Sequence, residues 1–169
     1  LLVTHIAAAT ASLVWMFIEW FRFGRPSLVG IVTGMVAGLA TVTPASGFIG
    51  IPGGLILGLA GGVACYIAVD LIRVRLKIDD SLDVFAVHGV GGILGSLLVA
   101  YLALPAFGGL GLADGVTAGS QFMVQLSSVA ITVLWTGIAS YVILKIIGVV
   151  IGLRVDQQDE IEGLDLSQH

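Results

Sequence analysis

The segment Asp83-Val84-Phe85-Ala86-Val87-His88-Gly89 opens an apolar run that continues to Leu104, so an aspartate and a histidine enter a stretch otherwise suited to lipid. Ionisable side chains at membrane depth are costly, and they usually face a bundle interior or a water-filled path where they serve a function. His88 lies about 7–8 Å beyond Asp83 along a helix. We therefore expect His88 to point into the bundle, either as a pore or relay histidine or as a structural histidine bonded across helices.

The composition indicates an integral membrane protein. Hydrophobic residues make up 57% of the 169 residues and charged residues only 11%, with a mean hydropathy of +1.09. Such a chain has too little polar surface to cover a soluble globule. Its 24 glycines suit close helix packing in lipid, where small residues let backbones approach. The single cysteine, Cys65, allows no internal disulfide and no cysteine metal cluster.

Hydropathy predicts an all-α fold with five transmembrane helices, each long enough for the roughly 20 residues that a ~30 Å hydrocarbon core requires. The predicted spans are residues 1–21, 27–46, 51–73, 84–104 and 121–153. The last span, at roughly 33 residues, would form a helix about 50 Å long, so it must tilt strongly or project into water.

The basic residues predict the orientation of the spans. Arginine and lysine occur in the loops at 22–26 and 74–82 and toward the C-terminus, whereas the loops at 47–50 and 105–120 contain neither. By the positive-inside rule, the first two loops and the C-terminus are cytoplasmic. No initiator Met precedes the first span, so we expect the chain to be a fragment of something longer.

Three aspartates near the start of the fourth span have predicted local roles. Asp83 is placed to cap the helix N-terminus, where its carboxylate would accept bonds from free backbone N–H groups. A position in the wall of a vestibule is compatible with that role. Asp79 and Asp80 are expected to lie in a solvated loop.

Charge pairs are predicted at two other span ends. Asp70 is expected to pair with Arg73, and Glu19 with Arg22, because side chains three residues apart are neighbours on a helix. Aromatic side chains near a membrane surface are typical interface anchors. This role is predicted for Trp15, Trp20 and Phe21.

Small residues recur at four-residue spacing, which is typical of tight helix crossings in membranes. The pairs are Gly34 and Gly38, Gly54 and Gly58, Gly58 and Gly62, Gly91 and Gly95, and Gly148 and Gly152. The glycine-rich segment at 89–92 is not a phosphate loop, because it follows no strand and lies inside an apolar span.

The tail after residue 155 has a different character. Residues 156–169 carry five acidic and no basic residues, so the chain divides into a transmembrane domain at 1–155 and an acidic tail at 156–169. One interpretation of the tail is a solvated, partly disordered end. The other is a docking surface for a cytoplasmic regulator.

Nothing in the sequence indicates an enzyme. The chain has no nucleophile and base in a recognisable arrangement, no phosphate-binding loop and no dinucleotide fingerprint. His5 and His169 are single histidines without metal-ligand spacing. We therefore predict no catalytic activity, no cofactor or metal, and no nucleic-acid partner.

Residues 83–89 resemble the signature around the second of two pore histidines in the ammonium transporter family, the superfamily of ammonium transporters, methylammonium permeases and Rhesus proteins. The likeness covers essentially the whole chain and is closer to the bacterial and plant branch than to the Rhesus branch. Further stretches resemble the family in the same order: Glu19-Trp20, Pro26-Ser27, Val42-Thr43-Pro44-Ala45-Ser46-Gly47, Gly115-Val116-Thr117, Gly152-Leu153-Arg154-Val155 and Glu162-Gly163-Leu164-Asp165.

The resemblance implies an eleven-helix protein with two inverted five-helix halves and a homotrimeric assembly, in which this chain supplies helices seven to eleven. His88 would be the second pore histidine, Val84 would line the pore beside it, and Asp83 would stand by the cytoplasmic exit. Thr33 would match a small hydroxyl residue of the inner vestibule, and Thr43 is a weaker candidate for the pore. The first pore histidine and the outer ammonium site would belong to N-terminal helices outside this chain.

The implied function is ammonium transport across the plasma or inner membrane. Moving ammonium through hydrocarbon as a cation costs many kcal/mol without a compensating charge. Deprotonating it outside, passing ammonia along an apolar lumen and returning the proton by a histidine relay avoids that cost and excludes potassium. A PII-type signalling protein is the implied partner of the acidic tail.

Two alternatives to a transporter stay open. A membrane ammonium sensor would have the same core with a signalling domain after Gly152, and the acidic tail argues against it. A purely structural membrane subunit would tolerate an apolar residue at position 88.

Overall fold

The computed structural model describes residues 1–167, and that part of the chain is helical without any strand. The prediction of an all-α fold is confirmed. The helices are α1 (Leu2–Phe23), α2 (Leu28–Val42), α3 (Ile51–Val69), α4 (Val90–Leu102), α5 (Ala118–Val150), α6 (Gln157–Glu162) and α7 (Leu164–Ser167). A π-helical segment, Asp70–Arg75, extends α3, and a second, Phe85–Gly89, leads directly into α4.

Within residues 1–167, four helical segments are long and apolar enough to cross a membrane: Leu2–Phe23, Ile51–Arg75, Phe85–Leu102 and Ala118–Val150. The predicted second span, 27–46, is shorter than expected, because α2 has 15 residues and ends at Val42. Pro44 follows closely and has no backbone N–H to continue the helical ladder. The turn after α2 occupies residues 43–48.

Local sequence explains where the first helices begin and end. Gly24 ends α1 in a left-handed conformation with φ of 74°, and its N–H donates to the Trp20 carbonyl. Ser27 caps α2, since its hydroxyl oxygen accepts from the Gly30 N–H at 2.9 Å. Pro52 lies in the first turn of α3, where a missing N–H is harmless.

Glycines allow the helices of the first compact unit, residues 1–129, to cross closely. A Cβ at Gly34 would lie 2.6 Å from the Trp15 Cβ, and a Cβ at Gly58 would lie 2.6 Å from the Ala7 carbonyl oxygen. A Cβ at Gly95 would overlap the Thr41 carbonyl. The predicted close crossings are confirmed here and at Gly38, Gly54, Gly62 and Gly91.

The prediction of interface aromatics is wrong for one of the three residues. Trp15 is only 4% exposed, because it packs in a core cluster with Ala37, Cys65 and Val87. Its ring also meets the Tyr66 ring edge-on at a centroid distance of 5.1 Å. The other two aromatic residues, Trp20 and Phe21, are exposed, as an interface position requires.

The second compact unit is described over residues 130–167 and holds the C-terminal part of α5 and the tail. The helix α5 has 33 residues, close to the predicted length, and none of them is buried. Gly152 turns the chain after α5 with φ of 83°, so the predicted Gly148 and Gly152 pair does not form a helix crossing. Two short helices follow in the tail, and Arg154 pairs with Glu160 at 2.8 Å.

Candidate functional site

Asp80 caps the helix that carries His88. Its carboxylate oxygens accept hydrogen bonds from the backbone N–H groups of Val84, Phe85 and Ala86 at 2.8, 2.9 and 3.3 Å. The prediction that Asp83 is the cap is therefore wrong, and Asp80, which lies in the loop as predicted, takes that role. The Asp83 N–H donates to the Asp80 carbonyl and so closes a turn. This turn brings the Asp80 carboxylate to the free N–H groups at the start of the helix.

Asp83 forms an ion pair instead. Arg73 Nη1 lies 3.3 Å from both Asp83 carboxylate oxygens, and the Asp83 side chain is only 13% exposed. Asp83 has φ of 55°, a left-handed conformation that aspartate tolerates better than most residues. This pairing also means that the predicted Asp70–Arg73 pair is wrong.

Asp70 is paired with two other arginines. It lies 3.0 Å from Arg22 and 3.7 Å from Arg75, and Arg22 also donates to the Tyr66 hydroxyl at 3.3 Å. These contacts join residues distant in the sequence, which spacing along one helix does not reveal.

The predicted Glu19–Arg22 pair is also wrong. Glu19 accepts from the Ser27 backbone N–H at 2.6 Å and from the Ser27 hydroxyl at 3.2 Å. The chain reverses between α1 and α2, and that reversal brings Ser27 to the Glu19 carboxylate. Glu19 thus joins the end of α1 to the start of α2.

Five of these charged residues border a polar cavity of about 240 Å³. It lies where α1, α2 and α3 meet the segment before α4. Its polar lining consists of Glu19, Arg22, Ser27, Thr33, Tyr66, Asp70, Arg73 and Asp83. Two of the sequence-predicted site residues, Thr33 and Asp83, therefore share one cavity.

His88 lies beside this cavity, on a separate open hollow of about 110 Å³. Thr33 lines both, so it connects the hollow to the polar cavity. The remaining lining is apolar and consists of Val32, Val36, Leu82 and Val87. The His88 side chain is exposed within this chain. The helices of this chain alone therefore do not enclose His88.

The backbone at His88 is locally unusual. His88 lies in the π-helical turn Phe85–Gly89, where the Val90 N–H reaches back to the Phe85 carbonyl. The buried Cys65 thiol donates to the Val87 carbonyl at 3.6 Å, which anchors the turn to α3. Single π-helical turns within α-helices occur frequently at functional sites.

The other two predicted site residues lie apart from the hollow's lining. Val84 is 53% exposed at the start of the helix that carries His88. Thr43 is exposed just after α2, and its hydroxyl donates to the Leu39 carbonyl at 2.6 Å. The structure thus brings Thr33 together with Asp83 and with His88, and it leaves Thr43 at the opposite end of α2.

Sequence reasoning missed Asp80, Tyr66 and Ser27 as parts of this region. Ser27 had a local signal, since a serine before an apolar helical run is a typical N-cap. Tyr66 had none, because it reaches the cavity from the middle of an apolar segment. Within residues 1–167, no group of three or more His, Cys, Asp or Glu side chains is arranged to hold a metal ion.

The apolar helices cross closely at glycines, and they border a polar cavity and the hollow beside His88. These features define a multi-pass membrane protein. The model of the Ammonium Transporter Family matches residues 1–169. The chain belongs to the ammonium transporter family, as the resemblance of its motifs predicts.

Curated relatives agree with this assignment. The chain is 44% identical to the ammonium transporter Amt1 of Archaeoglobus fulgidus over 169 residues, which cover 99% of the chain and 42% of that protein. It is 42% identical to an ammonium transporter of Aquifex aeolicus, covering 98% of the chain and 39% of that protein. The chain therefore spans about two-fifths of the length of these relatives, which are transporters and not enzymes.

Solved structures support the fold. A structure described as a sensor Amt protein matches 99% of the chain with a TM-score of 0.88 at 29% identity, covering 40% of that protein. Saccharomyces cerevisiae Mep2 matches 92% of the chain with a TM-score of 0.80 at 33% identity, covering 36% of that protein. The predicted partial transporter fold is confirmed by these neighbours.

Proposed function

We propose that this chain forms the C-terminal five helices of an ammonium channel in which His88 lines the pore. The complete transporter would consist of this chain and the N-terminal helices that precede it in a longer protein. Ammonium would be deprotonated on the outer side, and ammonia would pass an apolar lumen to the cytoplasmic side. His88 would pass the proton in a relay with a second histidine from the N-terminal helices.

The observation that carries this proposal is the shared position of His88 and Thr33 on one hollow with an otherwise apolar lining. A neutral imidazole offers one donor and one acceptor, so it can bind ammonia without a permanent buried charge. Because the hollow is open in this chain, the N-terminal helices have room to close it into a lumen.

The polar cavity would form the inner mouth of this pore. Asp83 is held there by Arg73, and Thr33 links the cavity to the His88 hollow. This mouth and the C-terminus would lie on the cytoplasmic side of the plasma or inner membrane, which the basic loops at 22–26 and 74–82 support. Val84 would line the pore beside His88, Thr43 would lie toward its outer end, and three copies would assemble as a homotrimer.

Flux into vesicles tests this function. The complete transporter, reconstituted in liposomes, should take up ammonium or methylammonium, and His88→Ala should abolish charge-coupled uptake while the protein remains folded. His5→Ala is the matched control, because His5 is an exposed histidine on α1 and should retain wild-type uptake. Wild-type uptake by the His88→Ala protein would show that His88 does not line the pore.

A sensor is the second candidate, and the match to the sensor Amt structure favours it. A sensor would bind ammonium in the same helices without sustained flux. Binding of ammonium by the reconstituted wild-type protein, with no uptake above empty vesicles, would support the sensor and contradict the channel.

The acidic tail would bind a regulator of the PII type at the cytoplasmic face. Residues 156–165 carry all five acids of the tail, and Glu160 pairs with Arg154. Deletion of residues 156–169 from the complete transporter should abolish co-purification of the regulator. Unchanged co-purification would leave residues 156–169 as a solvated end.

A further inference from the structure

We propose that the C-terminal end of α5 holds an anionic phospholipid, with its phosphate at Lys145 and an acyl chain in the groove beside Gly148. The groove has a volume of about 480 Å³ and is lined by Tyr141, Leu144, Lys145, Gly148, Val149 and Leu153. This site lies wholly within the second compact unit and does not depend on the proposed transport.

Lys145 is the only charged residue between Asp114 and Arg154. Its ammonium lies 5.6 Å from the centroid of the Tyr141 ring, and among the described residues no carboxylate forms an ion pair with it. A lysine near the end of an apolar helix reaches toward the membrane interface, where an anionic group is a favourable partner. The phosphate of a lipid supplies one.

The position of Lys145 along α5 suits a lipid headgroup. Lys145 is about 40 Å from Ala118 along the helix axis, at a rise of ~1.5 Å per residue. An α5 with moderate tilt therefore carries Lys145 past the ~30 Å hydrocarbon core to the headgroup level. Tyr141 lies one turn earlier, where aromatic rings mark the membrane interface.

The apolar part of the groove is shaped by two glycines. Gly152 reverses the chain after α5, with its N–H donating to the Ile147 carbonyl at 3.2 Å. The reversal returns Leu153 to the helix, where its Cδ1 would lie 3.4 Å from a Cβ at Gly148. Because Gly148 has no side chain, Leu144 and Leu153 border an open apolar channel beside the Lys145 ammonium. This combination of one cation and an apolar channel matches a phospholipid.

Native mass spectrometry with added phosphatidylglycerol and phosphatidylcholine tests this site on the protein purified from its membrane. Wild-type protein should bind phosphatidylglycerol in preference to phosphatidylcholine. Lys145→Gln should weaken the tightest phosphatidylglycerol site about fivefold, since each basic residue near an anionic membrane contributes on this order. Arg25→Gln is the matched control, because it removes an exposed cation outside the groove and should leave that site unchanged.

Two further variants keep the test decisive if Lys145→Gln does not fold. Lys145→Arg retains the charge and should bind phosphatidylglycerol like wild type, whereas Gly148→Leu fills the groove and should weaken binding with Lys145 intact. Wild-type affinity in Gly148→Leu, or equal affinity for both lipids in wild type, would overturn the proposal.

Discussion

At the scale of single residues, the helix ends around the polar cavity depend on charge contacts between segments. Asp70 and Asp83 each contact an arginine from a different segment or turn, and Glu19 reaches Ser27 across a chain reversal. Pairing along one helix is a weak effect of about 0.2–0.5 kcal/mol. Tertiary contacts, hydrogen bonds and turns outweigh it, which is why the predicted pairs within one helix are wrong.

Asp80 gives the clearest stability prediction at this scale. Asp80→Ala leaves three backbone N–H groups without their carboxylate partner, so it should lower the free energy of unfolding by about 1–2 kcal/mol. The measurement is unfolding of the purified protein in detergent, followed by circular dichroism.

Asp79→Ala is the matched control for this experiment, because Asp79 is an exposed neighbour with the same charge. Its effect should be within about 0.5 kcal/mol of wild type. Asp80→Asn should recover part of the loss, since an amide oxygen also accepts from an N-cap. Equal stability of Asp79→Ala and Asp80→Ala would show that the cap does not stabilise the helix.

At the scale of elements, the sequence predicts the helices well and their ends less well. The five apolar runs and the glycine spacing suffice to predict the helices and most of their crossings. In lipid, a helix is the stable structure for an apolar run of this kind, because it satisfies its own backbone hydrogen bonds. The end of α2 at Val42 and the π-helical turns depend on tertiary packing. Cys65, on another helix, holds the turn at Phe85–Gly89. The pattern of residues within 84–104 therefore cannot predict this contact.

In the candidate site too, the sequence predicts some features and tertiary packing determines the others. His88, Asp83 and Thr33 are singled out by the sequence and its family resemblance, because their chemistry is rare in apolar segments or matches a motif. Their joint position on two cavities follows only from the packing of α2 against α4. Tyr66 reaches the polar cavity from α3, and Asp80 caps the helix through a local turn.

At the scale of the whole molecule, the open hollow at His88 is the central feature. The chain spans about two-fifths of its relatives' length, and an exposed histidine among apolar side chains is best explained by further helices that cover it. In the complete transporter, His88 would then lie in an enclosed path. Its neutral imidazole would admit ammonia and exclude ions that cannot lose a proton.

The current carried by a His88→Glu variant tests this account most directly. In the complete transporter, wild type should carry current in an ammonium gradient and none in a potassium gradient. His88→Glu should carry current in both gradients, since a fixed negative charge at that depth compensates a desolvated cation whether or not it can release a proton. Wild-type rate and selectivity in His88→Glu would contradict the account and leave His88 with a structural role.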